Sequence, residues 1–195
     1  MLKQRRLRII FLVEKSIDFI IKAFSVFVDK LKVENVSIDK SAENLPHLVL
    51  IGDGPARADL EKLVENKALS SLVHFLGWRK REELKDYYAS SLAFLFASET
   101  ETQGLVVAEA EAAGLPVIAI KASGVDEALP PEDNLSVDSG QTEKFVEYMY
   151  ELWKDRKKTQ ELGLSASQFV ENNFSEKTVL ATYEDVYNSL QRISN

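Results

Sequence analysis

The chain has no cysteine, which removes disulfides, thiolate metal sites and cysteine nucleophiles in one step. Histidine is scarce as well: His47 and His74 are the only two, too few for a histidine-rich metal centre. Glycine (8) and proline (5) are sparse among 195 residues, and no repeat, low-complexity tract or linker divides the sequence. Cationic excess is missing too. Lys and Arg total 24 against 31 Asp and Glu, a formal charge of -7, which argues against a nucleic-acid coat.

Long apolar runs are absent. No stretch approaches the roughly 20 residues of a membrane span. Lys3, Arg5, Arg6 and Arg8 before Ile9–Val13 imitate a signal peptide, but the run stops at Glu14. That is short of the roughly 7–15 apolar residues of such a leader, and no small-residue cleavage site follows. The expectation is a cytoplasmic protein whose basic start is a solvated strand end. Contact of that start with the inner membrane surface is the lesser reading.

What is present is an ordinary globular composition, 45% hydrophobic and 28% charged, with length enough for one domain and its core. Short apolar runs alternate with amphipathic stretches. Strands are predicted at Ile9–Val13, His47–Ile51, Leu72–Leu76, Leu92–Phe96, Val117–Ile120 and Leu135–Val137. Between them, Ile17, Ile20, Ile21, Phe24, Phe27, Val28 and Leu31 fall at helical spacing. Further helices are predicted after Pro55, over Glu82–Tyr88, over Gly104–Ala113 and near Asp126–Leu129. A helical tail spans about 141–195, with one stripe at Phe145, Met149, Leu152 and Trp153 and another at Val179, Tyr183, Val186, Tyr187 and Leu190. Ser175 is placed to cap the last helix. Strands apolar on both faces and separated by helices imply a doubly wound, Rossmann-like α/β sheet of about six parallel strands. The whole of 1–195 reads as one such domain, with ligands bound beyond the carboxyl ends of the strands.

Signatures for a Walker loop, a nucleophile elbow or a zinc protease are missing. Gly52-Asp53-Gly54-Pro55 is a glycine turn at a strand's carboxyl end, where backbone amides face a ligand. The richest stretch runs from Ser98 to Pro116. Its acidic loop leads into a helix at Gly104, whose unpaired N–H groups and positive dipole end suit a phosphate. Glu101 precedes the helix and Glu109 lies in its second turn, on the order of 10 Å away at 1.5 Å per residue. An anion between them would have a hydroxyl-accepting carboxylate on each side, the layout of a nucleotide sugar. Glu109 lies among Val106, Val107, Ala108, Ala112 and Ala113, where a casual charge is out of place. The plain alternative is two solvated carboxylates.

Glu101, seven intervening residues, Glu109 and then Ala-Ala-Gly-Leu-Pro-Val resemble the paired-glutamate motif of glycosyltransferase family 4, whose members are retaining enzymes of the GT-B fold. Other stretches occur in the family's order: Glu14-Lys15, Ala23-Phe24, Leu50 to Pro55, Phe75-Leu76-Gly77-Trp78, Tyr88 to Ser91 and Ser123 to Glu127. The Glu-Thr-Gln-Gly-Leu wording is similar to members that glycosylate lipids such as diacylglycerol.

The resemblance implies a donor, a UDP-hexose for preference, and no metal. It implies that Glu101 contacts the transferred sugar and Glu109 the ribose. Backbone at Gly104, Leu105 and Val106 would hold sugar and diphosphate, with Gly52 and Gly54 beside them. Lys15 would pair with the diphosphate, and Trp78 and Arg79 would border the base. Charge developing on the leaving diphosphate would then be met by a lysine and a helix dipole.

Two departures qualify this. The family's Gly-Arg, five residues before Glu-Lys, is replaced by Ile9-Ile10, with Arg8 the nearest cation. The loss of one charge-assisted hydrogen bond typically costs about 1.5–3 kcal/mol. In addition, nothing corresponds to the family's first domain, which carries the acceptor site. The chain therefore reads as the donor-binding, C-terminal half of such an enzyme, its partner being a missing N-terminal acceptor domain or subunit. Val179, Tyr183 and Tyr187 would then pack on that domain or on a second copy of the chain. The rival reading is a catalytically inactive domain that binds a nucleotide or a partner, and an epimerase- or phosphorylase-like relative is the third.

Overall fold

The structure is a computed structural model that describes residues 9–12 (backbone only), 16–34, 45–100, 102–175 and 178. Six strands form one sheet: β1 (Ile9–Leu12), β2 (His47–Ile51), β3 (Val73–Gly77), β4 (Ser91–Phe96), β5 (Val117–Ile120) and β6 (Leu135–Val137). The sheet order is β3-β2-β1-β4-β5-β6, and every pairing of neighbouring strands is parallel. This is the doubly wound arrangement, and the chain reverses its winding between β1 and β4. In sheets of this kind ligands bind outside the carboxyl ends of the strands, at such a reversal.

Seven helices complete the described structure: α1 (Ile17–Val33), α2 (Arg57–Asn66), α3 (Arg81–Ser90), α4 (Leu105–Ala112), α5 (Ser123–Ala128), α6 (Thr142–Lys154) and α7 (Arg156–Phe174). Two apolar layers sandwich the sheet. One gathers α1, α2 and α6 residues, including Phe24, Phe27, Phe145 and Trp153, against Leu48, Leu50, Leu95 and Ile118. The other packs Tyr88, Val107, Ala110, Val125 and Ala128 on Val49, Phe94, Phe96 and Ala119. Alternate residues of one strand thus enter opposite layers, as in β4, where Leu95 faces one cluster and Phe94 and Phe96 the other. Full burial of a side chain such as Phe24 contributes about 1.5–3 kcal/mol.

Several boundaries differ from the sequence expectation. Pro55 lies in a turn before the Ala56 cap and does not open α2 itself. The helix expected near Asp126 begins at Ser123, three residues earlier. The tail contains a helix, α7, that the apolar stripes did not mark. Its buried residues are Thr159, Gly163, Ala166 and Val170, mostly small, and it packs on α4. Ser175 makes the capping bond expected of it, its Oγ accepting from the Thr178 N–H at 3.3 Å. The stripe from Val179 to Leu190 lies outside the described residues.

Candidate functional site

At the carboxyl edge of the sheet, β4 ends at Phe96 and the chain runs through Ser98 and Glu99 toward α4. Gly104 caps that helix in the left-handed region (φ 61°), with no side-chain oxygen as a cap and no acidic residue in the first turn. Only glycine fits here. A Cβ on Gly104 would run into the Gly124 carbonyl oxygen and come within 3.0 Å of the Ala128 Cβ. A Cβ on Gly124 would in turn strike the backbone at Thr102 and Gln103. The loop before α4 therefore lies backbone to backbone on α5, and the Ser139 hydroxyl donates to Glu99 from the loop after β6. The first-turn amides of α4, at Leu105 and Val106, are left for an anion.

Glu109 stands in the second turn of α4. Its Oε1 accepts from Arg81 Nη2 at 2.6 Å, with side-chain exposures of 42% and 82% respectively. Beside them, burial pushes the Tyr88 hydroxyl up to about 12; the Glu109 charge adds to this and the Arg81 charge opposes it. The expectation that Glu109 would be the anomalous charge of an apolar helix needs correction. The anomaly is Glu111, only 1% exposed, with Oε2 unpartnered; burial raises its pKa to about 8. At 3.6 residues per turn the two glutamates point roughly 200° apart, so Glu111 shares the buried side of α4 with Val107 and Ala110 and Glu109 does not.

The turn Gly52–Pro55 sits at the carboxyl end of β2 beside Arg57. Together with Ile17, Leu60 and Phe75 it lines a cavity of about 260 Å³. Arg57 pairs with Glu61 at 2.9 Å and reaches Asp53 at 3.8 Å, lying over the Phe75 ring. Gly52 and Gly77 bridge the ends of β2 and β3 with a 3.0 Å backbone hydrogen bond. Trp78, 71% exposed, and half-buried Arg79 come directly after Gly77. Arg79 donates to its neighbour's carbonyl at 3.0 Å and to Tyr87 Oη at 3.4 Å.

The structure thus brings Gly104, Leu105, Val106 and Glu109 onto one short helix, with Gly52, Gly54, Trp78 and Arg79 on other loops of the same sheet edge. Lys15 and Glu101 lie outside the described residues, as do Arg8 and the tail from Val179. Ile9 and Ile10, where the resembled family has Gly-Arg, are strand residues of β1 paired to both β2 and β4. Sequence reading stopped at Arg79 and missed Arg81. The cation run Arg79-Lys80-Arg81 directly after the β3 turn was the available signal.

Residues 11–169 match the family described as glycosyl transferases group 1. The chain belongs to that family. Among curated relatives, the sulfoquinovosyl transferase SQD2 of Arabidopsis thaliana is 33% identical over 154 residues, 72% of this chain and 29% of that protein. The alpha-monoglucosyldiacylglycerol synthase of Acholeplasma laidlawii is 35% identical over 136 residues, covering 70% of this chain and 31% of its own. Among solved structures, TarM superposes with a TM-score of 0.77 at 18% identity, over 95% of this chain and 36% of TarM. Anabaena HepE, solved with UDP and glucose, gives 0.76 at 18% identity, over 94% of this chain and 49% of HepE. These structures establish the shared fold. The chain spans about a third of the length of the first two relatives. Among the described residues of this group 1 glycosyltransferase chain, no helix is long and apolar enough to cross a membrane.

Proposed function

We propose that this group 1 glycosyltransferase chain is the nucleotide-sugar-binding domain of a retaining enzyme. It would transfer a hexosyl group from a nucleoside-diphosphate sugar to a glycan or lipid acceptor held by a separate domain or subunit. The observation that carries the reading is α4. Its amino end opens at a glycine-only junction on the carboxyl edge, with no side-chain cap over it, and Glu109 stands one turn further along. An anion at the first-turn amides meets the dipole's positive end, worth about 0.3–1 kcal/mol at an exposed site. A ribose next to it would donate hydroxyls to Glu109. Glu101 is assigned to the hexose and Lys15 to the diphosphate, both by resemblance to the family. UDP is the preferred carrier, as UDP is bound in the HepE structure. No metal is assigned a part, since the lysine and the helix end can meet the developing charge on the leaving diphosphate.

Titration calorimetry with UDP and UDP-glucose tests this. Glu109→Ala should weaken both ligands, because ribose is common to them. Glu101→Ala should weaken only the sugar nucleotide. Lys15→Ala should weaken both, with a loss that shrinks at high salt as its charge is screened. Equal effects of Glu101→Ala on both ligands would reverse the assigned orientation. Failure of either ligand to bind would favour the inactive-domain reading.

A further inference from the structure

We propose that Arg81 is a positioning residue for Glu109, holding one carboxylate oxygen so that the other faces a ribose; this rests on the reading of Glu109 given above. The two residues come from different helices and are 28 positions apart, yet they meet at 2.6 Å. Arg81 is 82% exposed on its side chain, so burial does not hold it there. What places it is the start of α3. The Lys80 N–H donates to the Glu83 carboxylate at 2.9 Å, and the Glu83 N–H donates back to the Lys80 carbonyl at 2.9 Å. That reciprocal bonding fixes the first turn, of which Arg81 is the first residue.

The neighbouring cation is tied elsewhere, since Arg79 is bonded to the Trp78 carbonyl and to Tyr87. Arg81 is the member of this run that reaches across to α4, through its bond to Glu109. A carboxylate offers about four lone-pair positions on its two oxygens. The contact occupies Oε1 and leaves Oε2 to accept hydroxyls. Removing the guanidinium returns rotamer freedom to Glu109, which a ligand must then restrict on binding.

The test measures UDP and 2′,3′-dideoxyuridine diphosphate affinities for wild type, Arg81→Ala, Arg81→Lys, Glu109→Gln and the Arg81→Ala/Glu109→Gln double variant. Arg81→Ala should weaken UDP about two- to fivefold, the range an exposed pair supports. It should leave the dideoxy ligand unchanged and add no further loss in the Glu109→Gln background, the non-additivity of a coupled pair. Arg81→Lys should recover part of the loss. If Arg81→Ala weakens both ligands alike, the arginine acts on the diphosphate directly and the positioning role is overturned. Additive losses, or tighter UDP binding, overturn it as well. If Glu109→Gln itself leaves UDP unchanged, the ribose assignment falls first, an outcome distinct from failure of Arg81 alone.

Discussion

Glu111 sits two residues beyond Glu109 on α4, and the two carboxylates live in opposite surroundings. Glu109 is half-solvated and paired, while Glu111 is enclosed with an oxygen unpartnered. The fold favours the protonated form of Glu111, whose pKa rises from 4.5 to about 8. Its contribution to stability is therefore fully present below pH 4.5 and is lost as pH climbs from there through about 8. Replacing a buried carboxyl by an apolar side chain of similar length removes that loss and the unmet hydrogen bond. Glu111→Met should stabilise the chain by about 1–3 kcal/mol near neutral pH. Denaturant midpoints at pH 5 and pH 8 check the sign: the gain should be larger at pH 8. Glutamates at i and i+2 look alike in a string of alanines, so composition flagged the neighbourhood correctly and picked the wrong member. Only the burial of one face of α4 separates them.

At the scale of elements, the strands were legible because most are short apolar runs between polar or glycine-containing stretches. His47–Ile51, Val117–Ile120 and Leu135–Val137 match the expected bounds. Helix α7 falls inside the expected helical tail, but its packed face was not legible, for a physical reason. It meets α4 through small residues, and a face of Gly163 and Ala166 leaves no apolar periodicity to read. Close approach is its substitute for bulk. A Cβ on Gly163 would run into the Gly114 carbonyl oxygen and approach Pro116 Cδ at 3.4 Å. In an isolated helix Gly→Ala gains about 1 kcal/mol. Here the backbone of the partner segment must yield, so Gly163→Ala should instead cost about 1–3 kcal/mol, the range for overpacking. Gly54→Ala, with open space around it and an ordinary φ, is the control and should change stability by less than about 0.5 kcal/mol. A thermal-shift comparison of the two variants decides it. A stabilised Gly163→Ala would mean that α7 stands off from α4.

Across the whole molecule, the two edges of the sheet have different work. The carboxyl edge carries the candidate site. At the amino edge, His47 and His74 lie on neighbouring strands with His47 Nδ1 and His74 Nε2 at 2.8 Å. One of those nitrogens donates and the other accepts, so a proton on the accepting nitrogen ends the bond. Burial lowers the His74 pKa below 6.5. For a base held down in this way, stability is present above pH 6.5 and is lost as pH falls through the folded value. Glu111 runs the other way over the same range, so the acid arm should be read in a Glu111→Met background. There, stability should begin to drop as pH falls below about 6.5, the ordinary histidine value, while the lowered carboxyls of Asp18 and Glu147 are still ionised. His74→Gln takes up no proton in this range and should flatten that arm. Because the pair lies at the edge away from the amino end of α4, UDP affinity per folded molecule should be the same in His74→Gln as in the parent at pH 7. A persisting acid arm in His74→Gln would remove the histidine linkage. An altered UDP affinity would mean that the two edges of the sheet are coupled.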